Sequence, residues 1–385
     1  MGYTTQHSHN GFFTSQNQSG TTRRNAIWSR LETPEYQPDA SGAGRGKIED
    51  LVRFANARQN AASSSSLGGD KMPEDTLNIL FLGGARRVSL AERFQNAARS
   101  LDKQPKIFSY ELSEEVPIAA LGQIIVGKRW EDPEAARHLS SVIRENGIQV
   151  VIPSVDPATL LAAKLKSSVP STFFSTASSD LSEIFFDKVQ AAAWFVRHHV
   201  PTPPAESPFP RIAKPRRGSA SKGIVLLSNE AEYRRFRETN LLDEYVVQQF
   251  IVGAEYTIDA YVSPEAGLLG MVPRLRVETI GGEVVRSRTV DDEEILVLCQ
   301  EILTTSGLTG PITIQMIRDS GSKGLFVTEI NPRLGGGVIL SIEAGLDIPA
   351  MILRDCLGME NQPVEGYRRN LCMMRAYREF FLPCR

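Results

Sequence analysis

Three polar side chains near the C-terminus have the types and the spacing of a magnesium site. Glu329 and Asn331 lie two residues apart in the apolar run 325–331, and Gln315 lies in a second apolar run, 312–317. Turn residues separate the two runs, which predicts a β-hairpin. Because side chains alternate faces along a strand, Glu329 and Asn331 share a face that Gln315 can reach. One carboxylate with amide oxygens, completed by water and phosphate, is a common way to hold Mg²⁺.

A loop of small residues in the middle of the chain suits a polyphosphate. Residues 216–223 are rich in Ser and Gly, lie between two predicted strands and follow Lys214-Pro215. Small residues allow backbone N–H groups to approach phosphate oxygens. The loop lacks the Gly-Lys-Ser/Thr end and the following helix of a Walker A loop. A flexible hairpin tip would explain the loop itself, but it would not explain Lys214-Pro215 at the strand end.

Upstream of this loop, a helix is predicted from Asp180 to Val200. Asp187 is expected to cap a turn there, with Gln190 reaching back to it as in a capping box. Lys188 is either an ordinary exposed lysine or a cation that faces phosphate. The sequence alone leaves both interpretations open.

Alternating arginines occur downstream, in two predicted strands. Arg274 and Arg276 lie two apart in one strand, and Arg286 and Arg288 lie two apart in the next. Alternate side chains of a strand project from the same face. These arginines therefore form either a solvated cationic face or a site for an acidic acceptor or a transferred phosphoryl group.

Strands and helices alternate between Leu77 and about residue 178. The apolar runs of this part are 77–82, 106–110, 123–126 and 149–153. Their alternation with helical patterns predicts a parallel sheet with helices on its faces. Gly83-Gly84-Ala85 follows the first strand, where it could cradle a phosphate or carboxylate at a helix N-terminus or form a tight turn. The loop that begins at Ser154 also ends a strand, where α/β sheets bind ligands.

Composition excludes several classes of protein. The 385 residues are 41% hydrophobic and 23% charged, with a net charge of -2, which suits two to three domains and no general attraction to nucleic acid. The sequence has no run of eighteen apolar residues, so no membrane span is predicted. The four cysteines lack CxxC spacing, which favours reduced thiols over a disulfide framework or a zinc site. These properties favour a cytoplasmic protein.

Residues 1–75 do not have the composition of a folded domain. They are rich in Ser, Thr, Asn, Gln and Gly, and such segments bury too little apolar surface to offset the entropy of ordering. This predicts a disordered N-terminal extension. A patch with helical spacing between Ile48 and Ala55 could dock, and the early arginines leave an organelle transit peptide open.

Met72 lies directly before the first predicted strand and is interpreted as a usable start. We expect a truncate that begins at Met72 to remain soluble, because the preceding residues are predicted to add nothing to the core. Expression followed by fractionation measures this. An insoluble truncate would contradict the interpretation.

Gln315, followed fourteen residues later by Glu329-Ile330-Asn331-Pro332-Arg333, resembles the metal-binding end of the ATP-grasp superfamily. The spacing resembles most closely the large subunit of carbamoyl phosphate synthetase. The resemblance implies a fold of α/β and α+β type. A Rossmann-like pre-ATP-grasp domain would be followed by an ATP-grasp fold with a small lid subdomain and a larger antiparallel-sheet subdomain. The implied ranges are 1–75 for the extension, 76–178 and 179–385 for the two domains, and about 208–250 for the lid.

The same resemblance implies roles for individual residues. Gln315, Glu329 and Asn331 would hold Mg²⁺ or Mn²⁺, and Arg333 and Lys214 would offset charge in phosphoryl transfer. The residues implied in ATP binding are Lys188, Lys214, Ser219, Ser221, Gln249, Phe250, Ile251 and Glu255. Among these, the peptide groups of 249–251 would meet adenine and Glu255 would meet ribose. Candidate acceptor residues are Arg274, Arg276, Arg288, Gly335 and Gly336.

The reaction implied by the resemblance is ATP-dependent ligation. A carboxylate attacks the γ-phosphate of ATP to form an acyl phosphate, and an amine or similar nucleophile displaces phosphate. The expected partners are a small-molecule carboxylate and amine, without nucleic acid or membrane, and a homodimer is compatible with the family.

The chain departs from carbamoyl phosphate synthetase in three ways. It has one such unit rather than two, it lacks an evident glutaminase nucleophile, and Leu334-Gly335-Gly336-Gly337 replaces a serine/arginine-rich run. A stand-alone carboxylate–amine ligase is therefore favoured over an enzyme of bicarbonate. A non-catalytic ATP-binding regulatory or assembly protein and an ATP-dependent phosphotransferase are the alternatives.

Overall fold

The structure is a computed structural model that describes residues 75–218 and 222–382. The predicted extension at 1–75 therefore lies outside the described residues except for Asp75, and so do Ser219 and Ser221 of the loop expected to meet phosphate. The described residues belong to one compact unit, Asp70–Arg385. The finer division into domains stays a prediction.

The first part of the described chain forms a five-stranded parallel sheet. Its order is β3-β2-β1-β4-β5, and each neighbouring pair is parallel. The strands are β1 (Thr76–Leu82), β2 (Gln104–Glu111), β3 (Gln123–Val126), β4 (Val150–Pro153) and β5 (Phe173–Phe174). Parallel sheets are covered on both faces, which explains the uninterrupted apolar runs in the sequence.

Helices on both faces of this sheet create two separate cores. The helices are α1 (Val88–Ser100), α2 (Ala135–Glu145) and α3 (Asp156–Leu165), with a 3-10 turn at Pro117–Ala120. Phe81 of β1 packs edge-on against Phe94 of α1, with ring centroids 5.5 Å apart. Its neighbour Leu80 packs with Leu139 of α2 in the other core. Consecutive residues of this strand thus pack into opposite cores.

The helix predicted from Asp180 to Val200 is two helices. They are α4 (Ser179–Phe186) and α5 (Lys188–Arg197), separated by Asp187. Asp187 has φ −102° and ψ 107°, an extended conformation that ends the first helix and begins the second. The continuous apolar pattern concealed this break, because the polar residue that interrupts the helix is buried and satisfied by tertiary contacts.

A small antiparallel sheet, ordered β7-β6-β8, follows. Its strands are β6 (Arg211–Pro215), β7 (Val225–Leu227) and β8 (Tyr245–Gln249), and α6 (Glu230–Thr239) covers it. Phe236 of α6 packs against Ala213 and Leu227. A 3-10 turn at Leu242–Glu244 leads into β8. This sheet lies within the range expected for a lid.

A six-stranded antiparallel sheet, ordered β13-β12-β9-β10-β11-β14, forms the rest of the described chain. Its strands are β9 (Gly253–Ser263), β10 (Gly267–Ile280), β11 (Glu283–Thr289), β12 (Gly310–Asp319), β13 (Leu325–Asn331) and β14 (Cys372–Met374). The accompanying helices are α7 (Glu293–Thr305), α8 (Val338–Glu343) and α9 (Ile348–Cys356). Among the helices of the described ranges, none is long and apolar enough to cross a membrane.

The two faces of the six-stranded sheet differ in chemistry. Ile258, Ile314 and Ile330 lie on one face and pack with buried residues of α7. The intervening residues Asp259 and Thr313 are paired across β9 and β12 on the other face. The period-2 alternation thus separates an apolar core from a polar face that is available for chemistry.

Candidate nucleotide and metal site

The structure brings together the three residues predicted to hold a metal ion. Gln315 of β12 pairs with Glu329 of β13, and Thr313 pairs with Asn331. Glu329 and Asn331 therefore project from the same face, beside Gln315. A β-bulge follows this pair, because Met316 pairs with Val327 and leaves Thr328 without an opposite residue. Bulges bend a strand and re-aim the adjacent side chains.

The polar atoms of this face fit a hard divalent cation. The Asn331 side chain is 3% exposed, its Oδ1 lies 3.4 Å from Nη2 of Arg333, and its Nδ2 has no partner among the described residues. The amide oxygen can ligate a cation, whereas the unpartnered Nδ2 group can only donate, for example to a phosphate oxygen. In the described ranges, no three His, Cys, Asp or Glu side chains form a metal-binding group. The candidate ligands are thus one carboxylate and two amide oxygens, which suit Mg²⁺.

An open cleft borders this face. Glu329 and Asn331 line it, and so do Lys188 at the start of α5 and Gly218 at the edge of the undescribed loop. Nζ of Lys188 donates to the carbonyl of Gly218 at 2.7 Å. One predicted phosphate-binding cation therefore faces the same cleft as two predicted metal ligands.

Lys214 lies in the same electrostatic cluster. Burial lowers the pKa of its ammonium group, and nearby Lys188 lowers it further, whereas the carboxylates of Glu329 and Glu255 oppose the shift. Removal from water favours the neutral form of a lysine, so this ammonium benefits strongly from an additional anion. The group is suited to polyphosphate.

Glu255, the residue expected to meet ribose, forms an ion pair. Nε of Arg276 donates to Oε2 of Glu255 at 3.0 Å. Burial lowers the pKa of Arg276, and Glu255 opposes that shift. Arg276, a candidate acceptor residue, thus pairs with the residue expected to meet ribose. Ribose hydroxyls would share the Glu255 carboxylate with this guanidinium.

Two of the three peptide groups expected to meet adenine are already engaged. The N–H of Gln249 donates to the carbonyl of Pro204 at 2.9 Å, and that of Phe250 donates to Pro210 at 3.1 Å. The N–H of Ile251 has no partner among the described residues, although the residue is 7% exposed. Ile251 is therefore the backbone donor of the three that remains for an adenine edge.

Arg333 ties the hairpin of β12 and β13 to the parallel sheet. Its Nε donates to Oδ1 of Asp156 at 2.5 Å, and both side chains are mostly buried. Although burial opposes it, the attraction of Asp156 leaves the pKa of Arg333 raised. Asp156 begins α3 directly after β4, at the carboxyl edge of the sheet where α/β proteins bind ligands.

The Gly83-Gly84-Ala85 turn does hold a carboxylate, but that carboxylate belongs to the chain. The Glu111 side chain faces the N–H groups of Gly84 and Ala85 and accepts from Oγ of Ser109 at 2.6 Å. Burial raises the pKa of Glu111 against these hydrogen bonds. Because Glu111 occupies the turn, an external phosphate is not needed to satisfy it.

Comparisons with known proteins agree with this architecture. Residues 242–376 match a family model whose description is "ATP-grasp in the biosynthetic pathway with Ter operon". The biotin carboxylase domain of Hydrogenobacter thermophilus 2-oxoglutarate carboxylase has a TM-score of 0.63 at 16% identity, over 77% of this chain and 73% of that one. N5-carboxyaminoimidazole synthetase from Staphylococcus aureus with ADP has a TM-score of 0.60 at 17% identity, over 79% and 83%. The fold is that of the ATP-grasp superfamily.

Two ligases are also similar to this chain. The L-amino acid ligase of Bacillus licheniformis has a TM-score of 0.56 at 17% identity, over 73% of this chain and 74% of that one. D-alanine–D-alanine ligase of Petrotoga mobilis is 36% identical over 77 residues, which are 20% of this chain and 25% of that relative's length. The fold class predicted from sequence is confirmed, whereas the finer resemblance to carbamoyl phosphate synthetase stays a prediction.

The structure corrects the interpretation of the alternating arginines in the six-stranded sheet. Arg274 is 1% exposed, and its Nε donates to Oδ2 of Asp259 at 2.7 Å. Arg288 pairs with Leu275, so it projects from the face opposite to Arg274 and Arg276. The expectation that Arg274, Arg276 and Arg288 share one face is therefore wrong. Strand register decided the outcome, since a spacing of two relates residues within one strand only.

Asp187 connects the small β7-β6-β8 sheet to the helix that carries Lys188. Its side chain is fully buried, and Oδ1 accepts from the N–H groups of Val189 and Gln190 at 3.0 and 3.3 Å. Oδ2 accepts from Nε of Arg216 at 2.6 Å. The side chain of Gln190 contacts Oδ2 of Asp187 rather than the backbone N–H of a capping box, which corrects that prediction.

Replacing Asp187 with asparagine is expected to lower the free energy of unfolding by about 1–3 kcal/mol at neutral pH, because a charge-assisted hydrogen bond is lost while the helix cap is kept. Burial raises the pKa of Asp187, but hydrogen bonds from Arg216 and Gln190 leave it lowered. The ionised form therefore stabilises the fold above about pH 4, and this stabilisation is lost as pH falls through the lowered pKa. Urea unfolding across pH measures the difference.

The matched control is Asp347→Asn, at the exposed cap of α9, where the carboxylate forms no ion pair in the described chain. A smaller loss is expected there. If the difference in the free energy of unfolding between the wild type and Asp187→Asn stayed constant down to pH 2, the expected linkage between protonation of Asp187 and stability would be contradicted.

Adjacent glycines after Arg333 differ in the space around them. A Cβ at Gly337 would lie 2.5 Å from Nη1 of buried Arg274, whereas one at Gly336 would meet nothing within 4 Å. We expect Gly337→Ala to lower the free energy of unfolding by about 1–3 kcal/mol through overpacking. Gly336→Ala should change it by less than about 0.5 kcal/mol. Denaturant titration of both variants tests this, and equal losses would contradict the assignment.

Four residues of the site were not singled out from sequence: Arg87, Asp156, Asp259 and Arg375. The Ser154-Val155-Asp156-Pro157 loop was noted as a strand end, so a signal existed for Asp156. For Asp259, the signal was an acid flanked by apolar residues in the strand β9. Arg87 and Arg375 contact the glycines at 335 and 336, and their sequence contexts predict no such contact.

Proposed function

We propose that the chain is an ATP-dependent ligase that joins a carboxylate to an amine through an acyl-phosphate intermediate. The observation that carries the proposal is the clustering of Glu329, Asn331 and Lys188 around one cleft, with Gln315 paired to Glu329. This places anion-binding and metal-binding groups together, as phosphoryl transfer requires. Two relatives similar to the chain are named as ligases, which supports the same class.

We assign Gln315, Glu329 and Asn331 to hold Mg²⁺. When bound, the ion would neutralise negative charge that develops during phosphoryl transfer. Glu329 supplies the one carboxylate of the set, and its cross-strand pairing with Gln315 holds both side chains on one face. The amide of Asn331 is fixed by burial and by Arg333.

The cations of the chain would neutralise the polyphosphate. Lys188 faces the cleft, and Lys214 lies near Glu329 in a desolvated setting where its attraction to phosphate is strengthened. Arg333 is oriented by Asp156 beside the same hairpin. Because the fold holds these cations in place before the reaction begins, they lower its barrier by preorganisation.

The proposed reaction has two steps. An oxygen of the acceptor carboxylate forms a bond to the γ-phosphorus of ATP as the bond to ADP breaks, which gives an acyl phosphate and ADP. The amine nitrogen then attacks the acyl carbon, phosphate leaves with the bonding pair, and the nitrogen loses a proton. Positioning supplies most of the acceleration for steps of this kind.

The deciding experiment measures phosphate release from Mg²⁺-ATP by the full-length chain. Four mixtures are compared: no addition, pooled carboxylic acids, pooled amines, and both pools, each with Glu329→Ala as a control. We expect release only when both pools are present, and subdividing the pools then names the substrates. Formation of ADP and a phosphorylated acid without release of phosphate would indicate a phosphotransferase. ATP binding without formation of ADP in any mixture would favour a non-catalytic regulatory protein.

A further inference from the structure

The guanidinium group of Arg87 has neutral carbonyl groups as its hydrogen-bond partners, and one of them belongs to Gly335, a candidate acceptor residue. Arg87 occupies the N-cap position of α1, and its Nη1 donates to the carbonyl of Gly335 at 3.0 Å. Its Nη2 lies 3.4 Å from the carbonyl of Ser154. Within the described ranges, Arg87 has no ion-pair partner. A half-buried cation that contacts carbonyl dipoles alone retains a strong affinity for an anion.

The surrounding arginines do not share that property. Each has a carboxylate of its own: Arg333 pairs with Asp156 at 2.5 Å, Arg274 with Asp259 at 2.7 Å, and Arg375 with Glu283 at 3.6 Å. Four guanidinium groups therefore face three carboxylates around residues 334–337, which we call the glycine loop. This cluster keeps one uncompensated positive charge.

The pKa of Arg87 reports this imbalance. Burial above all, together with the charges of Arg333 and Arg375, lowers it to about 10, although the carboxylates of Glu283 and Asp259 oppose the shift. The group stays charged at neutral pH. An anion bound there would remove the repulsion that Arg87 experiences from its neighbours.

The glycine loop leaves room for such an anion. Gly335 accepts from Arg87 and Gly336 accepts from Arg375, so the two cations hold adjacent carbonyls of one loop. A Cβ at Gly336 would meet nothing within 4 Å, which shows open space at this point. The loop begins four residues after Asn331. The space is thus close to the hairpin of β12 and β13, which carries the proposed metal ligands, but it is separate from the side chains of that hairpin.

We propose that the acceptor acid carries a second carboxylate and that Arg87, assisted by Arg375, binds it beside Gly336. The inference rests on the proposed ligase function, because it describes the acid that this site activates. One carboxylate reacts at the γ-phosphate, and the other offsets the unpaired charge of Arg87. Arg87 is thereby assigned as a determinant of specificity for dicarboxylic acids.

The test compares straight-chain dicarboxylates of three to six carbons with their monoamides, supplied with the amine pool to the full-length chain. We expect kcat/KM of the wild type to be at least tenfold higher for one dicarboxylate than for its monoamide. In Arg87→Gln, the ratio should fall to near one, mainly through KM for the acid, while KM for ATP is unchanged. The exposed neighbour Arg86 provides the matched control, and Arg86→Gln should keep the wild-type ratio.

Equilibrium binding of the same acids in the presence of Mg²⁺-ADP separates this inference from the ligase function. Binding that favours the dicarboxylate and needs Arg87, without ligation of any acid and amine, would refute the ligase and retain the site. Ligation that shows no preference for a second carboxylate, or that keeps its preference in Arg87→Gln, would overturn the site and retain the ligase. Equal binding of diacids and monoamides would overturn it as well. Arg375→Gln, on the more exposed side, is a second variant if Arg87→Gln unfolds.

Discussion

Replacing Glu329 with glutamine is expected to lower ATP-dependent phosphate release at least about a hundredfold, a loss of the size caused by removing one transition-state donor. The side chain lies opposite Gln315 and lines the cleft with Asn331, and it is the one carboxylate of the proposed metal set. Glutamine keeps its volume and its face but removes the negative charge that a hard cation needs. Phosphate release at saturating ATP measures the effect.

The Glu329 variant has a matched control and a second readout. Glu265 is exposed in the turn between β9 and β10, so Glu265→Gln makes the same change away from the site and should keep wild-type turnover. In Glu329→Gln, half-maximal activity should require more Mg²⁺, because the remaining amide ligands bind it weakly. Near-normal turnover, or an unchanged Mg²⁺ requirement, would contradict the assignment of Glu329.

Replacing Lys214 with methionine is expected to lower turnover by a similar factor, at least about a hundredfold. Methionine keeps most of the apolar stem and removes the ammonium that lies near Glu329, Glu255 and Lys188. Because burial lowers the pKa of Lys214, activity that needs its charge should decline with rising pH before an ordinary lysine would titrate. Steady-state kinetics as a function of pH measure both effects.

The control for Lys214 is an exposed lysine of α3. Lys164→Met makes the same chemical change on the surface and should leave turnover within about twofold, because exposed side chains contribute little. Lys214→Arg keeps a positive charge and should retain more activity than Lys214→Met. Equal activity of Lys214→Met and the wild type would remove Lys214 from the site.

Local sequence patterns were sufficient to predict the elements of the fold and the hairpin of β12 and β13. The uninterrupted apolar runs between helical patterns predicted the parallel sheet, and the two runs around a turn predicted β12 and β13. The placement of Glu329 and Asn331 on one face followed from the period of two, which is a property of the strand itself. Such features need only residues that are close along the chain.

Tertiary structure decided which distant groups meet. Arg333 and Asp156 are 177 residues apart, and Arg87 and Gly335 are 248 apart, so no spacing relates them. The face on which Arg288 projects was set by its register with Leu275, and register is a relation between strands. The sequence by itself thus determined the strands and the identity of the chemical groups. The pairing of strands and layers decided which charges were neutralised within the protein, and it left Arg87 without a carboxylate partner among the described residues.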